Sequence, residues 1–188
     1  MLYRNYYTIF VRITAISDME NQSSGLGPHF SIRVGNGYDV HALEVGLPLN
    51  ICGIGIDSNF GCVAHSDGDV AIHALCDALL GSLALGDIGH YFPDTDEKWA
   101  GIDSKILLAK VMEIIRGKGY SVGNVDITIA LQGPKLSPYL KEMKKTLAAI
   151  LGTAEEYVSI KATTAEGLGF VGRGEGVQVW ATALVYRL

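Results

Sequence analysis

The chain has 188 residues, 48% of them hydrophobic and 19% charged, with a net charge of −5. That is enough for one domain with its own core, while the acidic balance and the lack of a long basic run argue against a nucleic-acid polymer as partner. No apolar run approaches the roughly 20 residues that span a bilayer, so no membrane partner is expected either.

Taken in chain order, residues 1–30 differ from the rest. Met1–Ile16 is aromatic and apolar but interrupted by Arg4 and Arg12, and Ser17–His29 is polar. This stretch lacks the unbroken apolar run of a signal peptide and is read as an extension outside a domain at 31–188. A transit peptide, which would place the chain in a plastid-type organelle, is the alternative, and Asp18 and Glu20 count against it. Ser31–Tyr38 reads as a first strand through the alternation of Ile32 and Val34. Pro48–Ile56 reads as a strand or hairpin edge broken by Gly53 and Gly55. Asp69–Leu85 is the clearest helix and is apolar on more than one side, with Asp67 or Asp69 as its cap. Ser104–Lys118 is an amphipathic helix stopped by Gly117 and Gly119. Tyr120–Leu131 is a strand, and Leu136–Leu151 is a helix with Pro138 in its first turn. Tyr157–Thr163 and Val177–Tyr186 are the last strands. The order implies a single α/β (α+β) domain, with helices on one face of a mixed sheet.

Four constellations carry chemistry. Asp39-Val40-His41 is placed just past a strand end, where two residues in extended backbone point one carboxylate and one imidazole to the same side. That pair suits zinc or a similar divalent ion, although a local hydrogen-bonded pair has the same spacing. His65-Ser66-Asp67-Gly68-Asp69 opens the buried helix, and His73 lies one turn inside it. His73 is either a core histidine bonded to Asp69 or Asp77, or a third metal ligand whose ring one of those carboxylates orients. Cys76 is read as a small buried residue rather than a ligand. Gly86-Asp87-Ile88-Gly89 and Phe92-Pro93-Asp94-Thr95-Asp96 form a rigid polar loop. Lys161–Gly176 contains a formal GxGxxG at Gly167, Gly169 and Gly172, but too little chain follows for a βαβ unit, so a Rossmann reading fails. What remains is either a glycine-rich hairpin or a phosphate cradle with Glu166 near a second cation. The three cysteines, Cys52, Cys62 and Cys76, form no CxxC pair and fit a reducing compartment such as the cytoplasm.

In this order and spacing, from about Ile32 to Arg187, these blocks resemble the 2-C-methyl-D-erythritol 2,4-cyclodiphosphate synthase family of the non-mevalonate isoprenoid pathway. The resemblance implies an enzyme, a phosphorus–oxygen lyase. It would cyclise 4-diphosphocytidyl-2-C-methyl-D-erythritol 2-phosphate to the cyclic diphosphate, releasing cytidine monophosphate. It implies zinc, or another divalent metal, on Asp39, His41 and His73. It also implies magnesium or manganese with the diphosphate, held in part by Glu166. His65 and Thr164 would stabilise the transition state. Asp39, Val40, His41, His65, Ser66, Asp87, Ile88, Gly89, Phe92, Pro93, Asp94, Thr95 and Asp96 would line the methylerythritol and phosphate side. Leu131, Gln132, Gly133, Pro134, Lys135, Leu136 and Ser137, with Thr163, Thr164, Ala165 and Glu166, would form the cytidine diphosphate pocket, and Phe170 and Arg173 would add contacts. Family members are homotrimers with sites between subunits. Two other readings remain: a metal-dependent phosphohydrolase giving a linear product, and a non-catalytic nucleotide-binding trimer.

Overall fold

The computed structural model describes residues 31–188; residues 1–30, and the extension or transit peptide expected there, lie outside the described residues. The described chain forms seven strands and five α-helices: β1 (Ile32–Val45), β2 (Leu49–Ile51), β3 (Ile54–Ile56), β4 (Phe60–Cys62), α1 (Val70–Ser82), α2 (Ile88–Tyr91), α3 (Ser104–Gly117), β5 (Tyr120–Ala130), α4 (Leu140–Leu151), β6 (Val158–Thr163), α5 (Gly169–Gly172) and β7 (Gly176–Arg187). The main sheet runs β4-β1-β7-β5-β6, antiparallel except for the β5–β6 pair, and β2–β3 is a separate hairpin. Helix α1 lies on β1 and β7, α3 on α1 and β5, and α4 on β6 and α3. Residues 31–188 are therefore a single mixed-sheet α+β domain with its helices on one face.

Alternation along the strands sorts the residues. Val177, Val179, Ala181, Ala183 and Val185 of β7 and Val125, Ile127 and Ile129 of β5 point into the core. The opposite face of the sheet is uncovered among the described residues. There Val34 is 61% and Trp180 40% exposed, and Tyr38 lies 5.6 Å from the Trp180 ring centre.

On the inner face of β1, two positions have no side chain. A Cβ at Gly35 would overlap the carbonyl oxygen of Ala78, and one at Gly37 that of Ala74. These glycines, opposite the alanines of α1, let the helix backbone settle onto the strand. The first half of β1 is thus a seat for α1, and the next inward positions are Asp39 and His41.

Several expectations need correcting. β1 does not end at Tyr38 but continues to Val45, so Asp39 and His41 lie within the strand rather than past its end. The strand survives its polar residues because its backbone is paired throughout, with β7 as far as Ala42 and then with β4 from Leu43. Helix α4 begins at Leu140, not Leu136. Pro138 precedes it in a turn closed by Tyr139 N–H donating to the Leu136 carbonyl at 2.9 Å, consistent with the bar that proline places on helical backbone at Ser137. The Pro48–Ile56 segment needs no correction: of the strand and hairpin readings the hairpin holds, as β2–β3, turning at Cys52 and Gly53, both with positive φ.

Gly37→Ala should lower the unfolding free energy by at least the ~1–3 kcal/mol of an overpacked core. Gly117→Ala, at an open helical position, should be neutral or stabilising by up to about 1 kcal/mol. Urea denaturation of both variants checks this, and a Gly37→Ala protein as stable as the wild type would contradict the close seating of α1.

Candidate metal centre and adjoining clefts

Asp39 and His41 project from β1 toward the N-terminal half of α1, and His73 comes down from α1, one residue before the Ala74 carbonyl that rests on Gly37. Asp39 Oδ2 lies 3.2 Å from His41 Nε2 and 3.2 Å from His73 Nδ1, and the two rings stand edge to face with centres 5.2 Å apart. One ligand atom from each residue falls within 4.8 Å of the others, a spacing that can hold a metal ion. All three are half-buried, at the mouth of a cleft rather than in the core.

The far side of each ring is also held. His41 Nδ1 lies 3.3 Å from the Gly68 carbonyl oxygen, which can only accept, so this nitrogen carries a proton and Nε2 is the atom left facing Asp39, with its lone pair available to a metal once its own proton is displaced. His73 Nε2 meets the hydroxyls of Ser66 and Ser104, each at 3.1 Å, which leaves Nδ1 facing Asp39. A carboxylate oxygen and two imidazole nitrogens converge on one point, the donor set and number of an open tetrahedral zinc site.

The carboxylates expected to orient His73 do other work. Asp69 is fully buried and caps α1, accepting from Ile72 N–H at 3.0 Å and from the hairpin amides of Cys52 and Gly53. Burial pushes its carboxyl up, and the Gly53 and Ile72 donors oppose this. Asp69 therefore fixes where α1 starts, and with it the height of His73. Asp77 accepts from Ile88 N–H at 2.8 Å and ties α2 to α1. Ser104, whose hydroxyl lies 3.1 Å from His73 Nε2, is 31 residues away in sequence and carries no local pattern that marks it. Cys76 is fully buried, and burial pushes its thiol well up, as expected of a core residue.

A cleft of about 230 Å³ opens beside the three ligands, lined by His65, Ser66, Ile88, Phe92 and Asp94 together with His41 and His73. Trp99, which no sequence pattern marks, also lines it; its ring meets Phe92 edge to face at 5.0 Å, and its buried indole N–H has no partner among the described residues. Asp87, Gly89, Pro93, Thr95 and Asp96 belong to the same turns without lining the cleft; Asp87 caps α2 and Asp96 caps the turn at Glu97–Trp99. Val40 lies between the two β1 ligands on the opposite, exposed side of the strand.

A second cleft of about 220 Å³ is lined by Leu131, Gln132, Pro134, Lys135, Leu136 and Ser137, with Thr163 and Thr164 closing it. Gly133 precedes Pro134 through a cis peptide bond. Beyond it, the Thr164 hydroxyl donates to Glu166 at 2.6 Å, Ala165 is half-buried, Phe170 is exposed, and Arg173 pairs with Glu175 at 2.8 Å. α5 makes one turn of the GxGxxG segment, and a Cβ at Gly172 would overlap the backbone of Gly167, so these glycines allow a tight fold-back. The two clefts sit at the same end of the sheet but not together. Val40, Gln178, Ala130 and Thr163 form one row across β1, β7, β5 and β6. That is three inter-strand steps, or about 14 Å at roughly 4.8 Å each.

Electrostatics bind the triad even without a cation. Burial alone pushes the Asp39 carboxyl up, but the hydrogen bonds and charges of His41 and His73 outweigh it and hold Asp39 well below the usual carboxylate range. Burial works against a charged His41, yet Asp39, helped by Cys62, pushes it up to about 10. The raised histidine stabilises the metal-free fold fully below its ordinary value of 6.5, and that contribution is lost as pH rises through about 10. The depressed carboxyl contributes above its ordinary 3.8 and is lost as pH falls below that value. Metal-free stability should therefore be fullest between these ordinary values and decline on either side. Zinc must displace the His41 proton, so binding at pH 8 should release about one proton and tighten as pH rises toward 10. Calorimetry in buffers of different ionisation enthalpy measures this, and binding without proton release would contradict the His41–Asp39 pairing.

Comparison with known proteins places the chain in a family. The family model described as the YgbB family matches residues 32–186. The 2-C-methyl-D-erythritol 2,4-cyclodiphosphate synthase of Ectopseudomonas mendocina is 53% identical over 156 residues, covering 83% of this chain and 99% of that protein. The protein of the same name from Azotobacter vinelandii is 52% identical over 157 residues, covering 84% and 100%. A solved structure of 2C-methyl-D-erythritol-2,4-cyclodiphosphate synthase in its CDP-bound form superposes with a TM-score of 0.76 at 39% identity, covering 81% of this chain and 99% of that one. Matched along nearly the whole described domain and at this identity, the chain belongs to the YgbB family.

Proposed function

We propose that this chain converts 4-diphosphocytidyl-2-C-methyl-D-erythritol 2-phosphate to 2-C-methyl-D-erythritol 2,4-cyclodiphosphate with release of cytidine monophosphate. The observation that carries this reading is the convergence of Asp39, His41 and His73 beside the first cleft, in a chain 53% identical over 156 residues to a synthase of that name. The catalytic unit is the domain at 31–188. Its three cysteines, all free, favour a reducing compartment, the cytoplasm. No described helix is long and apolar enough to cross a membrane.

In the reaction, the 2-phosphate oxygen attacks the β-phosphorus, and the bond from that phosphorus to the oxygen bridging it to the α-phosphate breaks, leaving with cytidine monophosphate. Zinc on the triad would supply Lewis-acid polarisation of a phosphate oxygen and a fixed template. Glu166 offers an oxygen ligand of the kind magnesium or manganese prefers. The protein's share is to hold attacking and leaving oxygens in line and to balance charge. His65 and Ser66 offer donors at the wall of the first cleft, while Ile88 and Phe92 exclude water from its floor. The Thr164 hydroxyl, now donating to Glu166, is within reach of a diphosphate entering the second cleft, whose Leu131–Ser137 rim accommodates cytidine.

The separation of the two clefts favours a homotrimer with sites between subunits. A second copy, packed through the uncovered sheet face, would bring its nucleotide cleft to this chain's metal centre. The exposed Val34, Tyr38, Val40 and Trp180 supply the apolar surface such packing needs.

Incubating the chain with the diphosphocytidyl substrate, with and without chelator, and reading the product by phosphorus NMR tests the activity. The cyclic diphosphate should appear and chelator should abolish it; a linear product would mark a phosphohydrolase, and no release of cytidine monophosphate a binding protein. His73→Ala should lose cyclisation by at least the ~10²-fold typical of a misplaced reacting group, with its far-UV spectrum retained. Near-normal turnover would remove His73 from the site. By light scattering, the wild type should be three times the chain mass and Trp180→Asp a monomer; a wild-type monomer would refute the shared site.

A further inference from the structure

Asp67 and Ser104 have no part in the chemistry above, yet they end at a metal ligand. Ser104 opens α3 and is fully buried. Its backbone N–H donates to Asp67 Oδ2 at 3.1 Å, and its hydroxyl donates to Asp67 Oδ1 in a short hydrogen bond. The carboxylate is pinned in turn by Asp69 N–H at 3.2 Å. Held from both sides, the serine side chain has no freedom to rotate.

This fixes the direction of a proton chain. A carboxylate only accepts, so the Ser104 hydroxyl proton is committed to Asp67. The hydroxyl oxygen is then left as an acceptor toward His73 Nε2, 3.1 Å away. When a cation takes the place between Nδ1 and Asp39 Oδ2, which lie 3.2 Å apart, Nε2 carries the ring proton toward the Ser104 oxygen and Nδ1 gives its lone pair to the metal. The Ser66 hydroxyl also touches Nε2 at 3.1 Å, but its only other hydrogen bond among the described residues is from Gly68 N–H at 3.3 Å, which does not fix where its proton points.

We infer that Asp67 and Ser104 are positioning residues, a carboxylate–hydroxyl relay that sets the tautomer and ring orientation of His73 for the metal. The inference rests on the reading of Asp39, His41 and His73 as a metal centre. It also explains why the loop at His65–Asp69 is stitched to the start of α3 by Asp67 N–H to the Ile102 carbonyl at 3.0 Å and Gly101 N–H to the His65 carbonyl at 2.8 Å. The start of α3 acts as a rigid back wall for the ligand on α1.

The test is zinc affinity of the metal-stripped full chain, measured by competition with a chromophoric chelator. Ser104→Ala should weaken zinc by roughly 10–100-fold, the range for lost partners of metal-bound histidines. Ser104→Thr, which keeps the hydroxyl, should recover most of it. Ser82→Ala removes a buried hydroxyl of comparable structural weight, one that donates to the Leu79 carbonyl at the far end of α1, and should leave zinc affinity unchanged. Should Ser104→Ala fail to fold, Asp67→Asn replaces it and should weaken zinc in the same direction, because an amide can donate to Ser104 and reverse the relay. Wild-type affinity in the folded Ser104→Ala protein, or in its Asp67→Asn substitute, overturns the inference, as does an equal loss in Ser82→Ala. A wild-type chain that binds no zinc removes the metal centre instead, and the relay's purpose with it.

Discussion

The site depends on how closely one helix can lie on one strand. α1 rests on β1 where Gly35 and Gly37 have no side chain to hold it off, and the alternation that aims those glycines at the helix aims Asp39 and His41 the same way two and four residues on. The helix covers the glycines, and Asp69 and the β2–β3 turn anchor its N-terminal end. Next to that end, ligand atoms from β1 and α1 fall within 4.8 Å of one another. A side chain at Gly37 would raise α1 and carry His73 out of reach, so a residue with no chemistry of its own governs the chemistry beside it.

The same sheet explains why the site is divided. Its parallel edge, β5–β6, delivers the Leu131–Ser137 and Thr163–Glu166 segments to the end of the sheet where β1 delivers its ligands, but β7 and β5 lie between. Strand spacing is fixed by backbone hydrogen bonds, so this interval cannot close by side-chain adjustment. A reaction that needs a metal-held phosphate and a clasped nucleotide must bridge it with a long substrate or with another subunit. The apolar outer face of the sheet supports the second solution. That face is costly to leave wet, and burying it between copies would turn a weakness of the monomer into the geometry of the active site.

Much of this was legible in the sequence because period and punctuation carry it. The 3.6-residue pattern marks α1 and α3, the alternation of Val125, Ile127 and Ile129 marks β5, Asp39 and His41 stand out by their two-residue spacing in extended backbone, and His73 stands out because a polar residue in an apolar helix needs a partner. Partnership was less legible. Asp69 and Asp77 sit four residues either side of His73 and looked like its orienters, but each had a stronger claim on it: a helix N-terminus and hairpin turn for one, the start of α2 for the other. Ser104 and Trp99 are brought to the site by tertiary folding, which no local spacing encodes. The later part of β1 is illegible for a similar reason, since its residues pair with β7 and β4, which local sequence does not specify.

Three lone pairs pointing at one spot repel one another, and a site built to hold a cation must survive without it. The metal-free chain answers this with a proton. His41, held up to about 10 by the Asp39 carboxylate, carries a positive charge at neutral pH in the place the metal would take, and Asp39 stays ionised beneath it. The proton and the metal thus compete for the same electrons, and the folded geometry serves both. Gly68 on one ring and Ser104 on the other do not change as the occupant does, because each binds the nitrogen that faces away. The ligands therefore need little reorganisation when a metal replaces the proton, and the binding energy goes to the metal rather than to building the site.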